Sequence, residues 1–255
     1  MDLNLAQAQS VLASIRRLGI DIPEPITTVE ARAKAIAKAA ESVAPAHHDV
    51  LAAIIRAVDA GKNPVDDKEV QRMLAGQNLA NDAILHGLRA EAAQLLTEAL
   101  IEHQGLLFDA WRIQFQKAAT DLTAAHNALG GISLADTESV VRMGPDASTA
   151  WSTATNALTT LRDVMTAWQT WATTTRQVTI NNAYAVLRVA EVDWHTYRDH
   201  QLAGSIDYWK LTGLGIRLDL ADVATYQRRV ADLQAAQRVE AAEAEQNRMS
   251  RMQLN

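Results

Sequence analysis

Side chains able to do chemistry are few in this chain of 255 residues, and they gather most densely in "EVDWHTYRDH" (191–200). Read as one helix, Glu191, His195 and Asp199 fall at i, i+4 and i+8 on a single face, with His200 adjacent. Carboxylate and imidazole ligands one turn apart can share a metal ion, so these three are the candidate metal ligands. The pattern departs from a di-iron bundle, which uses Glu-x-x-His, because no histidine here has Glu or Asp three residues before it. A solvated face with ordinary i,i+4 pairing is the competing and preferred reading, and on it the chain needs no metal and no cofactor. "AHHDV" (46–50) places His47, His48 and Asp49 at a helix start, but consecutive residues point to different sides and do not converge. His86, His103 and His126 stand isolated on a helical stretch, without a sequence-near partner to activate a nucleophile.

Nucleotide and acyl chemistry leave no mark either. No P-loop is present, "LTGLGIR" holds a lone Gly-x-Gly after a helix, and Gly-x-Ser-x-Gly is missing. With no cysteine, thiolate chemistry and disulfides are excluded. No catalytic residue is assigned, and the expectation is a protein that is not an enzyme.

Composition bounds the partners. Hydrophobic residues make up 48% and charged residues 21%, with eleven glycines and five prolines, which is a folding composition. A net charge of −6 with scattered arginines gives no footprint for a phosphate backbone, so nucleic acid is not an expected partner. The start "MDLNLAQAQSVLASIRRLG" has no long apolar core of a signal peptide, and no uncharged run is long enough to cross a membrane. The expected location is the cytoplasm during synthesis.

Periodicity places nearly the whole chain in helix. Leu5, Leu12, Ile15 and Leu18 mark a first helix that Gly19 ends; Thr27 and Glu30 form a capping box for a second; Pro45 opens a third, closed by Gly61. Residues 1–62 thus read as short helices. The long helix is placed at 63–130, and from about Val65 to Leu129 no turn chemistry intervenes. The row Ile84, Leu88, Ala92, Leu95, Ala99, Leu106, Ala110 and Ile113 keeps a period near 3.6, predicting one helix on the order of 100 Å long, or two or three pieces if Gly87 or Gly105 breaks it. "GGISLADTESVVRMGPDAS" interrupts, with a short helix over 136–143 and Gly144-Pro145 opening the next element, and is the candidate domain boundary. Residues 131–216 form a Trp- and Thr-rich helical segment in which "TTTRQVTI" (173–180) continues as helix. A last helix and polar tail occupy 217–255, and beyond Gln234 the apolar face is too thin to pack on the body.

Within "TAWSTATNALTTLRDVMTAWQTWATTT" (149–175), Trp151, Ala154, Leu158, Leu161, Met165, Trp168 and Ala172 repeat at three and four residues as a heptad seam. Trp151, Leu158, Met165 and Trp168 are therefore the candidate interface residues. The other faces are Thr, Ser, Gln and Asn, a composition suited to cover by a second protein surface.

The fold class expected is all-α, an elongated, coiled-coil-like helical bundle with one or two very long helices. In its alanine- and threonine-rich helical manner the chain resembles the structural and assembly proteins of actinobacterial bacteriophages, scaffold-like or minor virion components. That resemblance implies a non-enzymatic protein, carried in a virion, that works through contacts with copies of itself or a virion partner, hence a homo-oligomer. Two other readings stay open. A secreted helical effector of the mycobacterial type VII kind would want a Trp-x-Gly turn and an acid four residues after Tyr226, where Val230 stands. A helical-bundle ligand or metal carrier would use Glu191, His195 and Asp199.

Overall fold

The computed structural model describes residues 5–42, 47–79 and 82–253. They form eleven α-helices and one 3₁₀ helix, and the only extended pairing among them is an isolated antiparallel bridge between Ala190 and Leu218. The chain is all-α. It divides into two compact units, one of Met1–Arg16 and Asp21–Gln104, the other of Arg17–Ile20 and Gly105–Asn255. The division falls at 104/105 rather than in the 130–145 turn, where the short helix Thr137–Arg142 links two helices of one unit.

The first unit contains α1 (Leu5–Arg17), α2 (Glu24–Ser42), α3 (His47–Asp59), α4 (Lys68–Leu79) and α5 (Asp82–Glu102). It has no Phe, Tyr or Trp, so its core is aliphatic. Helix α2 packs along α5, burying Ile26 and Ala33 on one side and Ala92, Ala93, Leu96 and Leu100 on the other. Small alanines on both helices leave room for the axes to approach, and area burial at roughly 25 cal/mol per Å² supplies the stabilisation. Helix α2 starts three residues before Thr27, because the amides of Ile26 and Thr27 already bond the Pro23 carbonyl. Glu30 is thereby freed from a capping box. Nearly buried, its carboxylate takes Arg16 at 2.5 Å from α1 and Lys34 at 2.6 Å from α2. Burial would raise this carboxyl, yet the hydrogen bonds and charges of Lys34 and Arg16 hold it below its ordinary value.

The single helix anticipated over 63–130 is not continuous: residues 63–67 form a turn before α4, and α5 and the helix after it are separated at His103, between Glu102 and Gln104, while residues 80–81, between α4 and α5, lie outside the described residues. Gly105 sits in the first turn after the break at His103, where the missing side chain weakens helix. Gly87 lies inside α5 and breaks nothing. The longest helices, α8 and α11, have 31 residues each, or about 46 Å at 1.5 Å per residue. No helix of the described residues is long and apolar enough to cross a membrane.

In the second unit α6 (Gln104–Ala128), α8 (Pro145–Thr175) and α11 (Val223–Gln253) are the long members. Short connectors complete it: α7 (Thr137–Arg142), the 3₁₀ helix (Asn182–Arg188), α9 (Trp194–Asp199) and α10 (Tyr208–Gly213). Helix α6 buries Leu107, Phe108, Trp111, Phe115 and Leu122, a row one residue away from the expected one, which leaves Leu106 and Ile113 exposed. Phe108 meets Trp168 and Trp171 of α8 edge-on, with ring centroids 6.5 and 5.2 Å apart, and Trp168 meets Tyr226 of α11 at 5.6 Å. Edge-to-face aromatic pairs add stabilisation beyond their buried area. Helix α8 begins at Pro145 after Gly144, whose φ of 96° only glycine tolerates without strain. It stops at Thr175 because Arg176 turns left-handed (φ 56°), so "TTTRQVTI" does not continue as helix, nor does 181–215, which becomes three short elements.

Candidate functional site

The seam of α8 is the first feature to place. Ala154, Leu161, Met165, Trp168 and Ala172 are buried, while Trp151 and Leu158 are half-buried. The two candidate tryptophans are tied within their own chain: the Trp168 indole N–H donates to the Ala221 carbonyl at 3.0 Å and that of Trp151 to the Leu134 carbonyl at 2.9 Å. The seam is thus the core of the second unit. Around it the threonine-rich face has a local account. Thr155, Thr159, Thr166 and Thr170 each donate a hydroxyl to the carbonyl four residues earlier, at 2.8–3.0 Å.

The three metal candidates do not share a helix face. Asp193 caps α9 by accepting from the Thr196 amide at 2.9 Å, and the Thr196 hydroxyl and amide hold its carboxyl below the ordinary range. The helix therefore starts at Trp194, leaving Glu191 outside it. Glu191 accepts from Arg228 at 3.2 Å and lies 3.7 Å from Arg229, whereas Asp199 accepts from Arg198 at 2.8 Å and His195 is exposed. No group of three or more His, Asp or Glu among the described residues could hold a metal ion. The side chains of His47 and His48 lie outside the described residues. His126 packs on Trp209, with ring centroids 4.6 Å apart.

Sequence reasoning overlooked Arg188. It ends the 3₁₀ helix, is 0% exposed, and lies over the Trp168 ring with its guanidinium carbon 5.6 Å from the centroid. The Tyr226 hydroxyl is a hydrogen-bond partner, Met165 Sδ at 3.9 Å and the Asn181 carbonyl at 3.5 Å are weak acceptors, and Nε has no partner. No carboxylate of the described residues ion-pairs with it. Burial lowers its pKa from the ordinary arginine value, while the charge and hydrogen bond of Tyr226 and the charge of Tyr208 act in the opposite sense. Burial likewise pushes the Tyr208 hydroxyl up. By contrast buried Arg229 is well matched, donating to Asp219 Oδ2 at 2.7 Å and to the carbonyls of Leu187 and Asp219 at 3.2 Å. The signal for Arg188 was its setting in "AYAVLRVAEV", a cation inside an apolar run.

A cleft of about 450 Å³ lies beside Arg188, between α8, the 3₁₀ helix and the 204–208 segment. Met165 and Tyr208 belong both to its wall and to the surroundings of Arg188.

A second feature stands in the first unit. Among the described residues, the α3–α4 hairpin buries Val50, Ala53, Ala57 and Val70, and Ala53, Ala57 and Val70 form a small cluster with Ile54 and Met73 against it. It leaves Leu51 48%, Ile55 59%, Val58 57%, Val65 70% and Leu74 42% exposed. Leu51, Ile55 and Val58 lie at i, i+4 and i+7, one stripe of α3.

Compared with protein-family models, curated proteins and solved structures, the chain matches none of them.

Proposed function

We propose that this is a non-enzymatic assembly protein that acts through helix-mediated contacts with further copies of itself, in the manner of a scaffolding or virion component. The observation that carries the reading is the apolar stripe on the α3–α4 hairpin. A two-helix hairpin whose described buried side chains are two alanines and two valines buries little apolar area of its own, and a line of large aliphatic side chains in water marks a protein contact. A second copy suits it. Between His47 and Leu79 five acids face four bases, so two hairpins do not repel, and paired about a two-fold axis they make a four-helix arrangement with the stripes inside.

The test is absolute mass by light scattering, with small-angle scattering for shape. A discrete multiple of 27.8 kDa supports the proposal, provided that Leu51→Gln, Ile55→Gln and Val58→Gln together return the chain to a folded monomer. A wild-type monomer, or an oligomer indifferent to the triple substitution, removes it. A ligand-binding role has one observation of its own in its favour, the unmatched Arg188 behind a cleft wall, and both roles are compatible in one chain.

A further inference from the structure

Arg188 is the one described arginine that is fully buried, and its surroundings fall short of what a guanidinium requires. Its fork offers five N–H donors, and a carboxylate is the partner whose geometry matches it with two parallel bonds. Here a thioether at 3.9 Å, a carbonyl at the limit of hydrogen bonding at 3.5 Å and the Tyr226 hydroxyl stand in, and Nε has no partner. The thioether belongs to Met165, which is also a wall of the 450 Å³ cleft. The side chain that Arg188 touches through sulfur is therefore also a wall of a space of the size small-molecule sites have. Methionine, unbranched and with three rotatable bonds, is the residue most able to swing aside.

We propose that this cleft binds a small carboxylate with an apolar body. Met165, Ala185 and Ile206 receive the body, and Arg188 takes the carboxylate once the Met165 side chain rotates out of the way. Arg162, exposed at the rim, attracts the anion to the mouth. The apolar side chains of Met165, Ala185 and Ile206 and a single buried cation favour a monoanion with a hydrocarbon body over a phosphate ester, which wants several charged donors.

Calorimetric titration of the full chain tests this with 4-phenylbutyrate, octanoate and benzoate, against 4-phenylbutyramide and inorganic phosphate as controls. At least one carboxylate should bind, 4-phenylbutyrate should bind at least about tenfold more tightly than its amide, a difference of about 1.4 kcal/mol, and phosphate should bind more weakly than either. Arg188→Met should abolish the preference for carboxylate over amide, and Met165→Ala should tighten carboxylate binding several-fold by removing the gate. Ser205→Trp, at an exposed position of the rim, should block binding without touching the core, which keeps the test valid if Arg188→Met fails to fold. Absence of binding by all three carboxylates, equal affinity for acid and amide, phosphate binding as tightly as a carboxylate, or carboxylate affinity unchanged in Arg188→Met or in Ser205→Trp would each overturn the proposal.

Discussion

Replacing Arg188 with methionine should make the ligand-free protein more stable, against the usual direction of core substitutions. The guanidinium leaves water completely on folding, which costs several kcal/mol after relaxation. Offsetting contacts are few, and one of them, the hydrogen bond with the Tyr226 hydroxyl, contributes about 1 kcal/mol. The Trp168 face at 5.6 Å contributes about 2 kcal/mol at most for a desolvated pair. The Asn181 carbonyl at 3.5 Å contributes less than the ~1 kcal/mol of a well-formed hydrogen bond, and the sulfur at 3.9 Å still less. Methionine follows the apolar stem of the arginine as far as Nε while removing the charge and the unpaired Nε. A gain of about 1–3 kcal/mol follows, within the range seen when buried charges are replaced by apolar residues. For a unit of this size ~2 kcal/mol corresponds to a rise in Tm of about 4–8 °C. Denaturant unfolding followed by tryptophan emission is the assay, because all six tryptophans lie in the second unit and the first has none. A folded Arg188→Met protein that is less stable than wild type by 1 kcal/mol or more would refute the ledger, and would mean that the aromatic box solvates the cation better than its distances imply.

Trp168→Phe should cost about 2–3 kcal/mol, since it deletes the indole donor to the Ala221 carbonyl and part of a ring packed against Phe108 and Tyr226; chemical denaturation checks it, and a change under 1 kcal/mol contradicts it. Glu30 sets a pH dependence. Its folded pKa lies below the ordinary 4.5, so its contribution is fully present above pH 4.5 and is lost as pH falls toward the folded pKa. The stability gap between wild type and Glu30→Gln, read by amide exchange of α2, should therefore narrow below that pH, and a gap constant from neutrality to pH 3 would show that the Arg16 and Lys34 pairs do not drive it.

How far the sequence could be read depended on the kind of signal. Local chemistry was legible: Gly19 ends α1, Asp136 caps α7 by accepting from the Ser139 amide at 3.0 Å, and Pro145 opens α8, because each is decided within a few residues of chain. Where two registers compete, tertiary packing decides. On α6 both Leu106-Ala110-Ile113 and Leu107-Trp111-Phe115 keep helical spacing, and the row carrying the large rings is buried because it removes more apolar area from water. The apparent helix over 181–215 failed for a different reason: Asp193 and Asp207 each cap a new short helix, so i,i+4 spacing drawn across Glu191, His195 and Asp199 crosses a helix start. The setting of Arg188 depends on α8, α10 and α11 at once, and no pattern within ten residues encodes that. The polar end of α11 was legible as such. From Ala235 to Ser250 every residue is exposed except Glu240, whose carboxylate accepts from the Trp194 indole and from Arg198.

The threonine hydroxyls of α8 are turned inward on their own helix, and that gives its outer face an unusual relation to ionic strength. With Thr155, Thr159, Thr166 and Thr170 bonded to backbone carbonyls, their methyl groups are what the face offers to its surroundings. Between Ser148 and Thr175 only Arg162 and Asp163 are charged, so there is little for mobile ions to screen. The Debye length falls from about 10 Å at 0.1 M salt to about 3 Å at 1 M, and ion pairs such as Arg228 with Glu191 weaken over that range. A contact made through this face of α8 keeps its strength there, and gains as sulfate or phosphate salts strengthen apolar burial.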